Sequence, residues 1–243
     1  MGIMIYRDKE AANAAAVTLL AAQMIEKPNC VLGLTASSMA ADIFRLLSGM
    51  TTAGVLDWSE IKIFNTSEFI SQEAGGLGIC GAYLKNNLYD RIGIDMSRVR
   101  APRHYAKDLQ AACTEYESEL IEAGGMDMLM LVLGRNGHIA YNSPAREFSA
   151  FTHVELLPPD TVEESSRLVK LGLNDLNHTQ AITLGMSEIM SAKRIILLAI
   201  GSEVANAAER MLSSSITPAV PATLLQLHPS VTYILDEAGA IAL

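Results

Sequence analysis

Five short runs of the chain are almost entirely apolar, and each ends in a polar or glycine-containing turn. The runs are CVLGL (30–34), IKIF (61–64), MLMLVLG (128–134), RIILLAIG (194–201) and VTYIL (231–235). Continuous hydrophobicity, as opposed to alternation, is typical of β-strands that are buried on both faces. Such a sheet must be covered by helices on both sides, so these runs restrict the chain to an α/β architecture.

Helical patterns lie between the apolar runs. The first begins at Asp8, whose side chain suits a helix N-cap, and ends before Pro28. A second ends at Gly124-Gly125, and a third follows the RIILLAIG run. No linker or repeat divides the chain. The alternation predicts one α/β domain over residues 1–243, with a largely parallel sheet covered on both faces.

Composition excludes several classes of partner. The net charge is −9 at pH 7, and no basic stripe is present, so a nucleic-acid partner is not expected. No apolar run reaches the length of a membrane span, so no membrane partner is expected either. Three cysteines without CxxC spacing, Cys30, Cys80 and Cys113, are expected to be buried free thiols in a reducing cytoplasm.

Ligands of parallel sheets bind beyond the carboxyl ends of the strands. One such end, GLTASSMA (33–40), carries the hydroxyls of Thr35, Ser37 and Ser38 just before a predicted helix. Hydroxyls and free N–H groups there either bind an anion or simply cap the helix. The loop has neither a Walker nor a GxGxxG pattern, so a nucleotide is not expected.

A second strand end, LGRNGHIAYN (133–142), contains two glycines that allow the backbone to turn sharply and approach a ligand closely. His138 follows this turn and is either a general acid/base near neutral pH or a structural hydrogen-bonding residue. Arg135 either contacts an anion or is solvated. No second His, Cys or carboxylate lies at ligand spacing from His138, so neither a metal nor another cofactor is expected.

Six segments of the chain resemble the glucosamine-6-phosphate deaminase/isomerase family, to which the 6-phosphogluconolactonases are related. They are VLGLTASSMA, IFNTSEF, VLGRNGHIAYNSP, SSR, ITLGMSEIMSAKRIILLAIGS and PATLLQLHPSVTYILDE, and the resemblance extends from about Val31 to Glu237. It implies a three-layer α/β/α sandwich with a mostly parallel Rossmann-like sheet. It also implies a cytoplasmic enzyme of carbohydrate metabolism that converts an aminosugar phosphate, such as glucosamine or galactosamine 6-phosphate, to a ketose phosphate with loss of ammonia.

The resemblance assigns roles to residues of the site. In this family a histidine assists opening of the sugar ring, and a carboxylate carries a proton between C2 and C1. His138 matches the histidine and Asn136 its partner. Arg167, in SSR, matches an arginine that holds the phosphate. His228 matches a family signature that we interpret as structural.

The remaining predicted substrate contacts lie in two loops. The loop after the first strand end matches the family's phosphate loop, and the GRNGH turn is predicted to approach the substrate. These residues are Thr35, Ala36, Ser37, Ser38, Gly134, Arg135 and Gly137.

Three residues depart from the family pattern where the chemistry is expected. Ser67 replaces the proton-carrying Asp of a DE pair, Ser143 replaces the glutamate that supports the histidine, and Val204 replaces a lysine. A serine hydroxyl cannot act as a base near pH 7 without a partner base. Glu68 is the neighbouring candidate, but in an extended segment its side chain points to the opposite face from that of Ser67.

Three functions therefore remain open. The leading hypothesis is an isomerase/deaminase that acts on a hexosamine or hexose phosphate. The alternative is a catalytically impaired paralogue that binds sugar phosphate as a sensor or regulatory partner. The third is a lactonase-like hydrolase, which needs an activated water and no base at C2. The small-molecule partner is a sugar phosphate in each case, and assembly into a homo-oligomer is also expected.

Overall fold

A computed structural model describes residues 2–71, 76–163, 179–213 and 215–243. Its strands are β1 (Gly2–Tyr6), β2 (Val31–Leu34), β3 (Lys62–Asn65), β4 (Ser67–Phe69), β5 (Val99–Arg100), β6 (Met128–Val132), β7 (His153–Leu156), β8 (Gln180–Thr183), β9 (Ile195–Ala199) and β10 (Val231–Asp236). Seven strands form a sheet in the order β1-β10-β9-β6-β2-β3-β5, in which every pairing is parallel. The other three form a small antiparallel sheet, β4-β8-β7.

The helices alternate with the strands of the large sheet. They are α1 (Lys9–Glu26), α2 (Ala41–Thr52), α3 (Ile79–Leu84), α4 (Asp90–Ile92), α5 (Leu109–Glu122), α6 (Met186–Ser191) and α7 (Ala205–Ser213). The predicted N-cap is confirmed, because the Asp8 carboxylate accepts a hydrogen bond from the Ala11 N–H at 2.9 Å. None of the helices within the described ranges is both long and apolar enough to cross a membrane.

The strands of the large sheet are buried on both faces, as their continuous hydrophobicity predicts. In β6, Met128 and Met130 pack in one core with residues of α1 and α2. The alternate residues Leu129 and Leu131 pack in a second core with residues of α5, α6 and α7. Side chains alternate across a strand, so one sheet separates two helical layers. The predicted three-layer α/β/α sandwich with a mostly parallel Rossmann-like sheet is confirmed.

The five predicted apolar runs correspond to β2, β3, β6, β9 and β10. The pattern does not predict β1, which forms an edge of the large sheet and exposes Ile3, Met4 and Ile5. It also does not predict the small antiparallel sheet, whose strands are three or four residues long and include polar residues. Such strands depend on tertiary pairing more than on their own composition. All three cysteines are free and buried, as expected.

The order of the strands determines where a site can form. From β2 the chain continues outward through β3 to β5, whereas β6 lies on the other side of β2 and leads outward to β9 and β10. The neighbours β2 and β6 are therefore a topological switch point. A crevice opens at such a point beyond the carboxyl ends of the strands.

The opposite end of β6 is held by a buried carboxylate. Asp127 accepts hydrogen bonds from Lys27 at 2.7 Å, from Lys193 at 2.7 Å and from the Val31 N–H at 2.9 Å. Burial raises its pKa, but the hydrogen bonds from Lys193 and Lys27 outweigh that effect, so the pKa lies below the usual 3.8. Asp127 thereby joins the start of β2 to the segments before β6 and β9.

We expect Asp127→Asn to lower the free energy of unfolding by about 1–2 kcal/mol, because it removes the charge that accepts hydrogen bonds from Lys27, Lys193 and the Val31 N–H while keeping the shape of the side chain. Asp90→Asn, in an exposed pair with Lys85, is the control and should cost less than about 0.5 kcal/mol. The folded pKa of Asp127 is depressed, so its contribution should be present above pH 3.8 and lost as the pH falls further. Urea denaturation measures the free energy of unfolding of both variants. An equal loss in Asp127→Asn and Asp90→Asn would contradict the stabilising role of Asp127.

Candidate active site

An open cleft lies at the carboxyl edge of the large sheet, at the switch point. It encloses about 730 Å³ of empty space, part of it open to solvent. The chain segments that follow β2, β3, β6 and β9 form its wall, and these are four adjacent strands of the sheet. The lining residues are Thr35, Ala36, Ser37, Ser38, Met39, Ser67, Val132, Leu133, Arg135, His138, Ala140, Tyr141, Ile200, Glu203 and Val204.

The turn after β6 places the imidazole of His138. The Gly134 N–H donates to the His138 carbonyl at 3.0 Å, and the Gly137 N–H donates to the Gly134 carbonyl at 2.9 Å. A Cβ at position 134 would lie only 2.0–2.4 Å from three atoms of the imidazole, so glycine is required there by the close approach of the ring. Gly137 has φ +90°, a left-handed conformation that favours glycine.

Asn136 determines which nitrogen of His138 carries the proton. The Asn136 Oδ1 accepts the backbone N–H of His138 at 3.0 Å, and the Asn136 Nδ2 donates to Thr161 at 3.3 Å. The oxygen therefore faces the imidazole Nδ1, which lies 2.8 Å away. In the neutral ring Nδ1 must then be the donor, which leaves Nε2 as the unprotonated nitrogen.

Burial keeps the imidazole of His138 neutral. The side chain is only 7% exposed, and its desolvation lowers the pKa to about 4 although the charge of Asp160 acts to raise it. The residue therefore enters a reaction at neutral pH as a base and a hydrogen-bond acceptor. The charged ring would lose its hydration in the cleft, so the pKa lies below the range near neutrality in which an exposed imidazole titrates.

The loop after β2 contains one buried hydroxyl residue, Thr35, and two half-buried ones, Ser37 and Ser38. The Thr35 hydroxyl donates to the Met130 carbonyl at 2.9 Å, which ties β2 to β6. Ser37 caps the 3₁₀ turn Ser38–Ala40 that leads into α2, since its hydroxyl accepts the Met39 N–H at 3.2 Å. Ser37 is therefore a helix cap. Thr35, Ala36, Ser37 and Ser38 also line the cleft, where binding of an anion stays a prediction.

Ser67 and Glu68 face opposite sides of β4, as strand alternation predicts. Ser67 lines the cleft. The Glu68 carboxylate is fully buried and accepts the N–H groups of Cys80 and Gly81 at 2.8 Å, in the first turn of α3. A Cβ at Gly78 would lie 2.4 Å from this carboxyl group. Burial raises the pKa of Glu68 to about 7, although the amide donors favour the charged form.

Glu68 therefore lies outside the cleft lining and acts as the cap of α3. Its prediction as a catalytic base finds no support in this geometry, because the carboxylate is committed to the helix. Ser67 lines the cleft at the position where the family resemblance expects an Asp, and its side chain has no carboxylate. Ser143 is also separate from the cleft, since it lines a smaller cavity that includes Glu147, His153 and Glu155.

Two further predicted residues have different outcomes. His228 is structural, as interpreted, because its Nδ1 accepts the Ser230 N–H at 3.1 Å and its Nε2 donates to the Ala192 carbonyl at 2.7 Å. Arg167 lies outside the described residues. Among the residues that are described, no three His, Cys, Asp or Glu side chains are grouped to hold a metal ion.

The cleft also contains functional candidates that the sequence analysis missed. Tyr141 contributes its ring 6.4 Å from that of His138, between centroids, and its N–H donates to the Thr183 hydroxyl at 3.0 Å. Glu203 lies beyond the end of β9 and pairs with Arg135 at 2.8 Å. The rule that ligands bind at the carboxyl ends of strands, applied to the RIILLAIG run, identifies Glu203 as a candidate.

Comparisons with known proteins agree with this geometry. The protein family described as glucosamine-6-phosphate isomerases/6-phosphogluconolactonase matches residues 7–234. A glucosamine-6-phosphate deaminase of Clostridium novyi (strain NT) is 35% identical over 240 residues, which cover 99% of this chain and 99% of that protein. One of Clostridium botulinum (strain Kyoto / Type A2) is 33% identical over 240 residues, which cover 99% of this chain and 98% of that protein.

Solved structures show the same relationship. The structure of a monomeric glucosamine-6-phosphate deaminase is similar with a TM-score of 0.91 and 30% identity, and the match covers 100% of both chains. A 6-phosphogluconolactonase from Trypanosoma brucei has a TM-score of 0.73 and 15% identity, covering 100% of this chain and 98% of that chain. The second likeness concerns the fold alone.

We expect His138 to remain neutral between pH 5 and 8 and to carry its proton on Nδ1, which ¹⁵N NMR of the imidazole measures. Its folded pKa, about 4, lies below the unfolded 6.5, so its contribution to stability should be present above pH 6.5 and lost as the pH falls towards 4. Asn136→Ala removes the acceptor and should shift the ring towards the Nε2–H tautomer.

His153 provides an internal control for this titration. Burial lowers its pKa, but its hydrogen bond with Glu155 outweighs that effect and leaves the pKa above 6.5. Its resonance should titrate above that of His138 and should not change in Asn136→Ala. A His138 resonance that titrates near 6.5 would contradict the buried, neutral imidazole.

Proposed function

Because the chain belongs to the glucosamine-6-phosphate isomerase/6-phosphogluconolactonase family, we propose that it is an aldose–ketose isomerase/deaminase that converts a hexosamine phosphate and water into a ketose phosphate and ammonia. The observation that carries the proposal is the neutral imidazole of His138. The ring has an unprotonated Nε2, and His138 lines the same cleft as the hydroxyl-rich loop 35–38. That combination provides a base beside a polar binding loop.

The first step assigned to the site is ring opening. A neutral Nε2 can take the proton of the C1 hydroxyl as the ring oxygen leaves, and can return a proton to the ring oxygen. The hydrogen bond to Asn136 stabilises the imidazolium that forms in between, since Nδ1 keeps its acceptor throughout. Gly134 leaves room for the ring, and the hydrogen bond to Asn136 holds it in one orientation before the substrate binds.

The second step moves a proton from C2 to C1 of the open-chain aldehyde. The base takes the proton from C2 and the C1 oxygen takes a proton from water, which gives an enolamine. The base then returns its proton to C1, which gives an iminium at C2. Water hydrolyses the iminium to the ketone and ammonia, and the proton released neutralises the hydroxide formed earlier. Ser67 cannot hold the transferred proton, because an alcohol is too weak a base near pH 7. We assign this transfer also to His138, because the hydrogen bond to Asn136 already fixes the orientation of this base in the cleft.

This assignment predicts a slow enzyme. One imidazole then serves both proton transfers, whereas a dedicated carboxylate would allow each base to be placed separately. General acid–base groups typically contribute a factor of about 10²–10⁴ in rate. Placing a carboxylate at position 67 should therefore increase turnover, provided that the phosphate end of the cleft still orients the substrate.

Two broader expectations belong to the same proposal. A cytoplasmic location is supported by three buried, unpaired thiols, which a reducing compartment preserves. Assembly into a homo-oligomer is supported by the exposed apolar side chains of Ile3, Met4 and Ile5 on β1, which is an edge strand of the sheet that the described residues form. Light scattering during gel filtration tests assembly, and a mass of one chain at high concentration would exclude it.

The proposal is tested by ammonia release from glucosamine 6-phosphate and galactosamine 6-phosphate. We expect His138→Ala to lower kcat by a factor of about 10² or more, and Ser67→Asp to raise it by about tenfold or more. His153→Ala is the matched control, since His153 lies outside the cleft lining, and it should retain wild-type turnover. The triple variant Ser67→Asp, Ser143→Glu, Val204→Lys tests whether the complete family pattern restores a faster reaction.

Two outcomes would overturn the proposal. Equal rates in the wild type and His138→Ala would remove the imidazole from the chemistry. Sugar-phosphate binding without any product, seen as a ligand-dependent rise in Tm, would favour the alternative of a binding protein. A lactone substrate belongs in the same panel, because hydrolysis needs only an activated water.

A further inference from the structure

An ion pair spans the cleft wall between two neighbouring strands. Arg135 follows β6, Glu203 follows β9, and the Arg135 Nη2 lies 2.8 Å from the Glu203 Oε2. The side chain of Arg135 is 31% exposed and that of Glu203 is 53% exposed. Both residues line the cleft together with the loop 35–38. Neither the catalytic proposal nor the helix caps require this pair.

The hydrogen bonding of Arg135 is incomplete. The Arg135 Nε is buried and has no hydrogen-bond partner among the described residues. An unsatisfied buried donor is unfavourable, so the Nε indicates a position for an acceptor. The Nε and Nη2 lie on the same edge of the guanidinium, and this edge binds two oxygens of one phosphate or carboxylate in parallel. Glu203 occupies only the Nη2 position.

The residues around Arg135 offer an anionic ligand no second positive charge among those described. Val204, adjacent to Glu203, is apolar and almost completely buried, so it offers no cation to a ligand. Among the described residues that line the cleft, Arg135 has the side chain with a full positive charge. Its charge is balanced by Glu203, whose carboxylate would repel an anion that approached without displacing it. A ligand phosphate that binds Arg135 must therefore compete with Glu203 for the guanidinium.

We propose that Glu203 is a specificity-determining residue that reserves the Nε/Nη2 edge of Arg135 for ligands able to bind it through two oxygens. A phosphate displaces Glu203 because it satisfies Nη2 and the unpartnered Nε together. A sugar hydroxyl presents one neutral oxygen and does not displace a carboxylate. The two charges of the pair thus offset one another, and the pair selects phosphorylated ligands. This inference rests on the proposed function in taking the ligand to be a sugar phosphate.

The test uses inorganic phosphate as the probe and the full chain, with binding measured by calorimetry at constant ionic strength and pH 7.5. We expect Glu203→Gln to lower the Kd for phosphate about three- to tenfold, because the amide keeps the shape and removes the competing charge. In an Arg135→Gln background the same substitution should change the Kd less than twofold, since the cation that Glu203 reserves is gone.

Glu60→Gln is the matched control. Glu60 pairs with Arg98 at 3.1 Å, with side chains 62% and 28% exposed, and so resembles the Glu203 pair in charge and exposure outside the cleft lining. Its substitution changes the net charge by the same amount and should leave the Kd for phosphate unchanged. With glucosamine 6-phosphate as substrate, Glu203→Gln should lower KM more than it changes kcat.

Three results would overturn the inference. They are a Kd in Glu203→Gln within twofold of the wild type, an equal gain in the Arg135→Gln background, or no phosphate binding by Glu203→Gln at tens of millimolar. The measurement is independent of turnover. A protein that releases no ammonia but binds phosphate more tightly after Glu203→Gln would refute the proposed function and leave this inference standing.

Discussion

The hydrogen bond from His138 to Asn136 is the interaction on which the chemistry of the cleft depends. It decides which imidazole nitrogen is free, and it exists because the turn after β6 folds the Asn136 side chain back onto the backbone N–H of His138. Gly134 makes this turn possible, since no other residue leaves room for the ring. A sharp backbone turn and a fixed tautomer are thus two consequences of one local structure.

The parallel sheet supplies the second constraint. Parallel strands bring their carboxyl ends to one edge, so loops distant in the sequence meet there. The small antiparallel sheet then refines the site, because the Thr183 hydroxyl, on β8, accepts the Tyr141 N–H and the partner strand β4 carries Ser67 into the wall. Ala140, with φ +50°, forms the tight turn before Tyr141. Backbone strain of this kind occurs often in functional sites.

Charge in the cleft is balanced rather than accumulated. The chain carries a net charge of −9, so an anionic ligand depends on local donors. Two carboxylates near the site are already committed, Glu68 to the first turn of α3 and Glu203 to Arg135. Burial keeps His138 neutral. Among the described residues, the cleft lining therefore combines a neutral base with one cation, Arg135, which is paired with Glu203.

The sequence by itself determined the α/β class, the main buried strands, the caps at Asp8 and the GRNGH turn, because these depend on local periodicity and on residue-specific backbone freedom. It also indicated that Ser67 and Glu68 face opposite ways. Only the tertiary structure decided that Glu68 caps α3, that Ser143 lines a different cavity and that Glu203 pairs with Arg135. Those outcomes depend on which strands become neighbours, and contacts between residues distant in the sequence are not encoded in any short pattern.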